Sequence, residues 1–281
     1  MAEASGAIGC GWDAHVHVFD AAAPARAGHY QPQTHTLAEI EAHSASHGIG
    51  HLVLVQPSVY GTDHSVMLRA LRQTPGRHRG VAVVDASVSD AALDELHEAG
   101  VRGVRFNTIS PVGNGEEALH ALAPRLRERG WHVQWYIAPR QLPHLVALQR
   151  QTGLTFVLDH LAGLAADQTE AARHWQALAE LAHTGAWLKL SGWYRLGTST
   201  PYAAMVPLIR QASAPFGDRL VWGSDWPHTS LPAQAASRHD SLLAPAQEAL
   251  GEATLKAVLQ THAPRLYDAA PMRVTQHSSK D

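Results

Sequence analysis

Cysteine is almost missing: the 281 residues contain one, Cys10. That excludes an internal disulfide and a cysteine-rich zinc site, and it suits a reducing compartment. Apolar runs are short, and none approaches the roughly 18 residues that a membrane-crossing helix requires. The N-terminus lacks a basic stretch followed by an apolar one, so no signal peptide is expected and the cytoplasm is the expected location. Charged residues make up only 17%, and the net charge is -3 with His neutral. No Lys/Arg block stands out, which argues against nucleic acid and against a membrane surface as partners. A glycine-rich phosphate loop is absent too. The first strand-like run ends in His-Val-His-Val-Phe, where a nucleotide fold would place glycines.

What the chain has in quantity is hydrophobic residues, 45%, and 20 histidines. From residue 12 onward, short runs of strand-forming residues alternate with amphipathic segments. The pattern predicts strands over 12–18, 51–57, 80–84, 101–107, 131–137, 155–160, 186–191 and 219–225. Between them it predicts helices over 36–47, 64–74, 90–99, 116–129, 139–151, 169–183 and 202–214. The first of these opens on a capping box, Thr36-Leu37-Ala38-Glu39. A helical tail is expected over 234–267, with flexible termini at 1–11 and 270–281, which leaves 12–268 as a single domain. Eight alternations without a linker predict an α/β fold, a distorted (β/α)8 barrel; a doubly wound open sheet is the runner-up.

Such barrels carry their chemistry at the C-terminal ends of the strands. On the first strand, His15 and His17 are two residues apart and therefore face one way. A His-x-His arises easily by chance among 20 histidines; Asp225 gives this one its weight. Asp225 follows the last strand in Trp222-Gly223-Ser224-Asp225-Trp226-Pro227-His228, and a carboxylate placed there must be paired or in use. The other strand ends offer Ser58 and Tyr60, Asp85, Arg105 and Asn107, Tyr136, Asp159 and His160, Ser191 with Tyr194 and Arg195, and His228. Arg105 has a second reading as an ion-pair partner of Asp85 or Asp159. Ser58 and Tyr60 have one as shapers of the turn at Pro57 and Gly61. Tyr30 lies in a loop and gains a role only if that loop folds over the mouth. The set suits a small anionic substrate and hydrolytic or proton-transfer chemistry.

Read together, Asp13-Ala14-His15-Val16-His17-Val18-Phe19, Val53-Leu54-Val55-Gln56-Pro57-Ser58, Gly103-Val104-Arg105-Phe106-Asn107, Leu158-Asp159-His160, Lys189-Leu190-Ser191-Gly192-Trp193-Tyr194-Arg195 and the Asp225 motif resemble the amidohydrolase superfamily. The branch they resemble most is that of the 2-pyrone-4,6-dicarboxylate lactonases and the related muconolactone and sugar-acid hydrolases. The resemblance implies a barrel that hydrolyses a lactone ring. Asp225 would then be the general base, and His15, His17 and His160 would surround the lactone carbonyl. Arg105, Arg195, Ser58, Tyr30 and Tyr136, with Tyr60 and His228 nearby, would hold the substrate's anionic groups.

Two departures from that branch bear on the substrate. Leu161-Ala162-Gly163 and Thr108-Ile109-Ser110-Pro111 stand where pyrone lactonases tend to carry further arginines. With fewer cationic anchors, the expected substrate is a muconolactone bearing a carboxylate or sulfonate, such as 4-sulfomuconolactone. The pyrone dicarboxylate or a sugar-acid lactone is the alternative. Metal is open as well. The strand at 131–137 offers no Lys or Glu and 186–191 ends in Ser, which excludes a binuclear centre. One zinc ion on His15, His17, His160 and Asp225 is one reading, and a metal-free site is the other. A decarboxylase or hydratase on the same scaffold, or a binding protein without chemistry, are the remaining functions. The oligomeric state is left open by the sequence.

Overall fold

The computed structural model of the protein describes residues 9–229 and 238–268. Eight strands follow one another around a parallel sheet in sequence order: β1 (Gly11–Val16), β2 (Ile49–Val55), β3 (Arg79–Ala82), β4 (Val101–Asn107), β5 (His132–Tyr136), β6 (Phe156–Leu158), β7 (Trp187–Leu190) and β8 (Leu220–Trp222). Helices α1 (Leu37–Ala45), α2 (Ser65–Gln73), α3 (Asp90–Glu98), α4 (Leu119–Glu128), α5 (Leu142–Thr152), α6 (Ala172–His183) and α7 (Met205–Ser213) connect them. A bridge between Val16 and Trp226 joins the last strand's extension to the first, so the sheet closes into a (β/α)8 barrel. The open doubly wound sheet is thereby excluded.

The sequence explains the closure locally. Gly223 passes so close to His15 that a Cβ there would collide with the backbone and Cβ of His15. Asp13 ties the seam: its Oδ1 accepts from the amides of His15 at 3.1 Å and Ser224 at 2.9 Å. The capping box of α1 forms as expected, with Thr36 and Glu39 each accepting from the other's backbone amide.

Alternation along the strands sorts the core. One parity, with Val53, Val55, Val81, Val157, Trp187 and Val221, gathers with Trp12 and Tyr267 into an apolar cluster inside the barrel. The other, with Leu52, Leu54, Val104, Phe106, Leu188 and Leu190, packs against the helices. Continued toward the C-terminal ends, the inward parity turns polar: Arg105, Gln134, Asp159, Lys189. This change of character within one row builds the site.

The ends of the predicted elements need correction. Strands expected over 155–160 and 219–225 stop at Leu158 and Trp222. Beyond them His160, Leu161, Ala162 and Asp225 take left-handed backbone (φ 46, 52, 58 and 61°), which no strand can accommodate. Residue 11, expected in a flexible terminus, belongs to β1, its amide bonded to Gly48 O at 2.9 Å. The tail is broken by Gly251 (φ 82°) into α8 (His239–Leu250) and α9 (Glu252–Ala257), followed by α10 (Ala263–Tyr267). Positions 1–8, 234–237 and 269–281 of the expected tail and termini lie outside the described residues.

Candidate active site at the strand ends

Asp225 is fully buried, and its backbone amide is fixed by His15 O at 2.8 Å. Left-handed backbone at such a residue costs on the order of 1–3 kcal/mol, so its surroundings must over-determine the position. They do. Oδ2 accepts from Tyr194 Oη at 2.6 Å and Arg195 Nε at 2.7 Å. Oδ1 has no hydrogen-bond partner among the described residues; it lies 3.3 Å from His17 Nε2 and 3.5 Å from His15 Nε2. Burial pushes this carboxyl up, but Arg195 foremost, with the imidazoles around it, holds it well below the usual carboxylate range. It is an ionised carboxylate with one oxygen anchored and the other buried without a hydrogen-bond partner among the described residues.

The histidines are held by their far nitrogens. His17 Nδ1 is 2.8 Å from Val55 O; a carbonyl only accepts, so Nδ1 carries the proton and Nε2 presents its lone pair toward Asp225. His160 Nδ1 meets Ser191 Oγ at 2.9 Å, and burial drops its pKa to about 3, so it works as neutral imidazole. Gly192 makes room for it, since a Cβ there would strike the ring. His15, also neutral because burial and the nearby Lys189 hold it well below its ordinary value, stands between the two.

Beneath them lies a second buried carboxylate. Asp159 Oδ2 accepts from Arg105 Nε and Gln134 Nε2, both at 3.0 Å, and Oδ1 is 3.1 Å from Lys189 Nζ. The ion-pair reading of Arg105 is thus correct for Asp159, while Asp85 is exposed and holds Ser87 instead. Gln134 and Lys189 were not among the sequence candidates. The available signal was a lysine inside the apolar run Trp187-Leu188-Lys189-Leu190, where an unpaired charge cannot stay.

Above the carboxylate of Asp225 opens a cavity of about 300 Å³. His17, His160, Arg105, Arg195, Ser58, Tyr30 and Tyr136 all reach it, as does Asn107, which donates to Ser58 Oγ at 2.9 Å. The 20–35 loop does reach the mouth. Its base is pinned by a Phe19–His35 bridge, and Tyr30, whose hydroxyl burial pushes up to about 12, bonds Thr229. Ile109, Ser110 and Pro111 line the wall where the resemblance to pyrone lactonases would place a further arginine, and Leu161 and Ala162 are buried and apolar. Three named candidates do not line the cavity: His15, which is fully buried, Tyr60 and His228. Tyr60 Oη donates to Asp20 O at 2.9 Å and accepts from Asp20 N at 3.0 Å. His228 Nε2 turns back to Ser224 O at 3.1 Å.

Of the four residues considered as metal ligands, three form a compact set. His15, His160 and Asp225 each offer a donor atom within 4.8 Å of the others, a buried His/His/Asp cluster able to hold an ion; His17 is not in that set.

Comparison with known proteins agrees with this architecture. The chain is 35% identical over 239 residues to a 2-pyrone-4,6-dicarboxylate hydrolase of Comamonas testosteroni, covering 78% of this chain and 77% of that protein. It is 31% identical over 226 residues to a 4-sulfomuconolactone hydrolase of Rhizobium radiobacter, covering 78% and 76%. A solved structure from Pseudomonas putida, of a candidate 2-pyrone-4,6-dicarboxylic acid hydrolase, superposes with a TM-score of 0.81 at 30% identity, covering 93% of this chain and 98% of that one. An amidohydrolase family model matches residues 12–269, from the first barrel strand past the last helix, and the chain belongs to that family.

Proposed function

We propose that this protein is a hydrolase that opens the ring of a small anionic lactone, of the muconolactone type with a carboxylate or sulfonate. One observation carries the reading: Asp225, buried and ionised, keeps Oδ1 free of hydrogen-bond partners among the described residues at the floor of a cavity walled by two arginines. Water held by Oδ1 loses its proton to that oxygen as it attacks the lactone carbonyl. The tetrahedral oxygen then develops its charge beside His160 and Arg105, which line the cavity, with His15 buried next to them. Collapse breaks the ring C–O bond, and the proton returns to the leaving oxygen. One water is consumed, and the new carboxylic acid releases one proton at neutral pH. Tyr194 and Arg195 keep Asp225 oriented, and the outer ends of Arg105 and Arg195, with Ser58, Tyr30 and Tyr136, suit the substrate's anion.

By position the donor set accommodates a single divalent ion, provided that His15 presents a bare Nε2. Asp225 Oδ1 and His15 Nε2 are buried without hydrogen-bond partners, and two imidazoles with a carboxylate suit zinc. Bound there, such an ion would polarise the carbonyl and acidify the water.

The pyrone dicarboxylate is the second reading, favoured by the 35% identity to its Comamonas hydrolase. Against it stand Ile109, Ser110 and Pro111 in the wall, which leave two arginines for an already crowded set of anions. A proton-release assay on pyrone dicarboxylate, carboxylated and sulfonated muconolactones and sugar-acid lactones tests both. The expected result is a higher kcat/KM on a muconolactone. Preference for the pyrone would overturn the substrate assignment, and carbon dioxide release without ring opening would overturn hydrolysis.

A further inference from the structure

Lysine is rare in this chain, with Lys189, Lys256 and Lys280 its only instances, and Lys189 is fully buried under the active site. Its ammonium has three protons and no lone pair. Three acceptors surround it: Gln134 Oε1 at 2.6 Å, Asp159 Oδ1 at 3.1 Å and His15 Nδ1 at 3.3 Å. An ammonium can only donate, so toward Lys189 His15 Nδ1 accepts. A neutral imidazole that accepts at Nδ1 carries its proton at Nε2, the nitrogen that faces Asp225 Oδ1.

The neighbouring histidine has the opposite arrangement. His17 donates through Nδ1 to Val55 O and presents a bare Nε2. The His-x-His pair therefore offers the site one donor and one acceptor on either side of Asp225 Oδ1. That polarity suits the proposed hydrolysis, since His17 Nε2, which lines the cavity, can accept from water while His15 turns an N–H toward the carboxylate of Asp225. It is unsuited to metal binding through His15, because a protonated nitrogen has no lone pair for an ion. Charge acts in the same direction. Among the described residues Lys189, Arg105 and Arg195 outnumber Asp159 and Asp225 in this network by one, before any divalent ion is added.

We infer that Lys189 is a positioning residue that fixes His15 as an Nε2–H donor and thereby withholds it from metal ligation. Removing the ammonium leaves Asp159 Oδ1, 3.5 Å from His15 Nδ1, as the partner for that nitrogen. A carboxylate accepts, so the proton moves to Nδ1 and Nε2 becomes a free ligand.

The catalytic consequence rests on the lactone reading, but the decisive measurements need no substrate. The 15N shifts of histidine-labelled protein distinguish the two tautomers, and the difference spectrum of His15→Gln assigns the His15 signals. Wild type is expected to show the Nε2–H form, and Lys189→Met the Nδ1–H form. Zinc affinity, read by competition with a chromophoric chelator, is expected to rise at least about tenfold in Lys189→Met, the direction set by freeing one imidazole ligand and removing one buried cation. In turnover, kcat should fall about 10²-fold with KM nearly unchanged. An Nδ1–H His15 in the wild type would overturn the inference even if Lys189→Met failed to fold, and so would unchanged zinc affinity in a folded variant. A protein with the expected tautomer that opens no lactone would instead overturn the function and leave the role of Lys189 standing.

Discussion

Two carboxylates sit at neighbouring levels of this barrel, both fully buried, both held well below the usual carboxylate range, and both met by an arginine. Asp159 is sealed: Arg105, Gln134 and Lys189 cover it, and it does not line the cavity. Asp225, with Oδ2 anchored by Tyr194 and Arg195, does line it. Burial and ionisation alone therefore do not mark the base. Contact with the cavity does, since each carboxylate has one anchored oxygen and one without a hydrogen-bond partner among the described residues.

The largest effect should follow from neutralising the carboxylate that lines the cavity. Asp225→Asn keeps the shape and can still accept from Tyr194 and Arg195, but its amide is too weak a base to take water's proton. The expected loss is on the order of 10³–10⁴ in kcat, the range for general-base and triad groups, with substrate binding retained. Steady-state kinetics by proton release measure it, and turnover within tenfold of wild type would remove Asp225 from the reaction.

Asp159→Asn tests the sealed member. It leaves Arg105 and Lys189 without a counter-charge in the interior, and breaking a buried pair in this way costs about 3–5 kcal/mol. Urea unfolding should show that loss, with kcat falling less than in Asp225→Asn. The reverse ranking, stability unchanged and activity abolished, would make Asp159 the base.

This pair also shows what was legible in the chain. Period-2 runs and helix caps specified the barrel, and the His-x-His with a closing Asp specified the floor of the site. The strand ends gave the height of each candidate along the barrel but not its direction. After Pro57 the chain makes a single 3-10 turn, Ser58–Tyr60, which rotates side chains by about 120° per residue, so Ser58 enters the cavity and Tyr60 leaves it. At residue 228, left-handed backbone (φ 66°) turns the imidazole back onto Ser224. Lys189 escaped notice because a single polar residue in an apolar run has no partner visible in one dimension; Gln134 and Asp159 come from other strands.

The wall of the cavity offers a smaller, sharper test of the substrate assignment. Ser110 lines the cavity beside Arg105 and Asn107. Ser110→Arg adds a cation there and is expected to raise kcat/KM for the pyrone dicarboxylate about tenfold relative to the muconolactone, in line with one additional charge-assisted hydrogen bond. An unchanged ratio would show that the missing arginines do not set the preference.

Two further histidines, His132 and His228, are buried and neutral, with pKa values lowered foremost by burial to about 3 and about 4. Unfolded histidine protonates near 6.5, so between pH 6.5 and 4 the unfolded state binds protons that the folded state refuses. Stability from this pair is complete above about pH 6.5 and falls as pH drops, by up to about 1.4 kcal/mol per pH unit for each histidine. Urea unfolding at pH 7 and pH 5 should differ accordingly. Equal stability at the two values would mean that both rings are protonated in the fold.

The smallest effect is expected at Tyr60, and it separates position from contact. Its hydroxyl both donates to and accepts from the backbone of Asp20, which fastens the loop carrying Tyr30 to the barrel. Tyr60→Phe removes both bonds but no cavity wall, because the cavity is lined by Tyr30 and Tyr136 and not by Tyr60. The expected cost is about 1–2 kcal/mol of stability, the ordinary worth of one or two net hydrogen bonds, with kcat within twofold of wild type. A modest rise in KM would follow if the loop that carries Tyr30 loosens. A tenfold fall in kcat with unchanged stability would mean instead that the phenol reaches the substrate in the working enzyme.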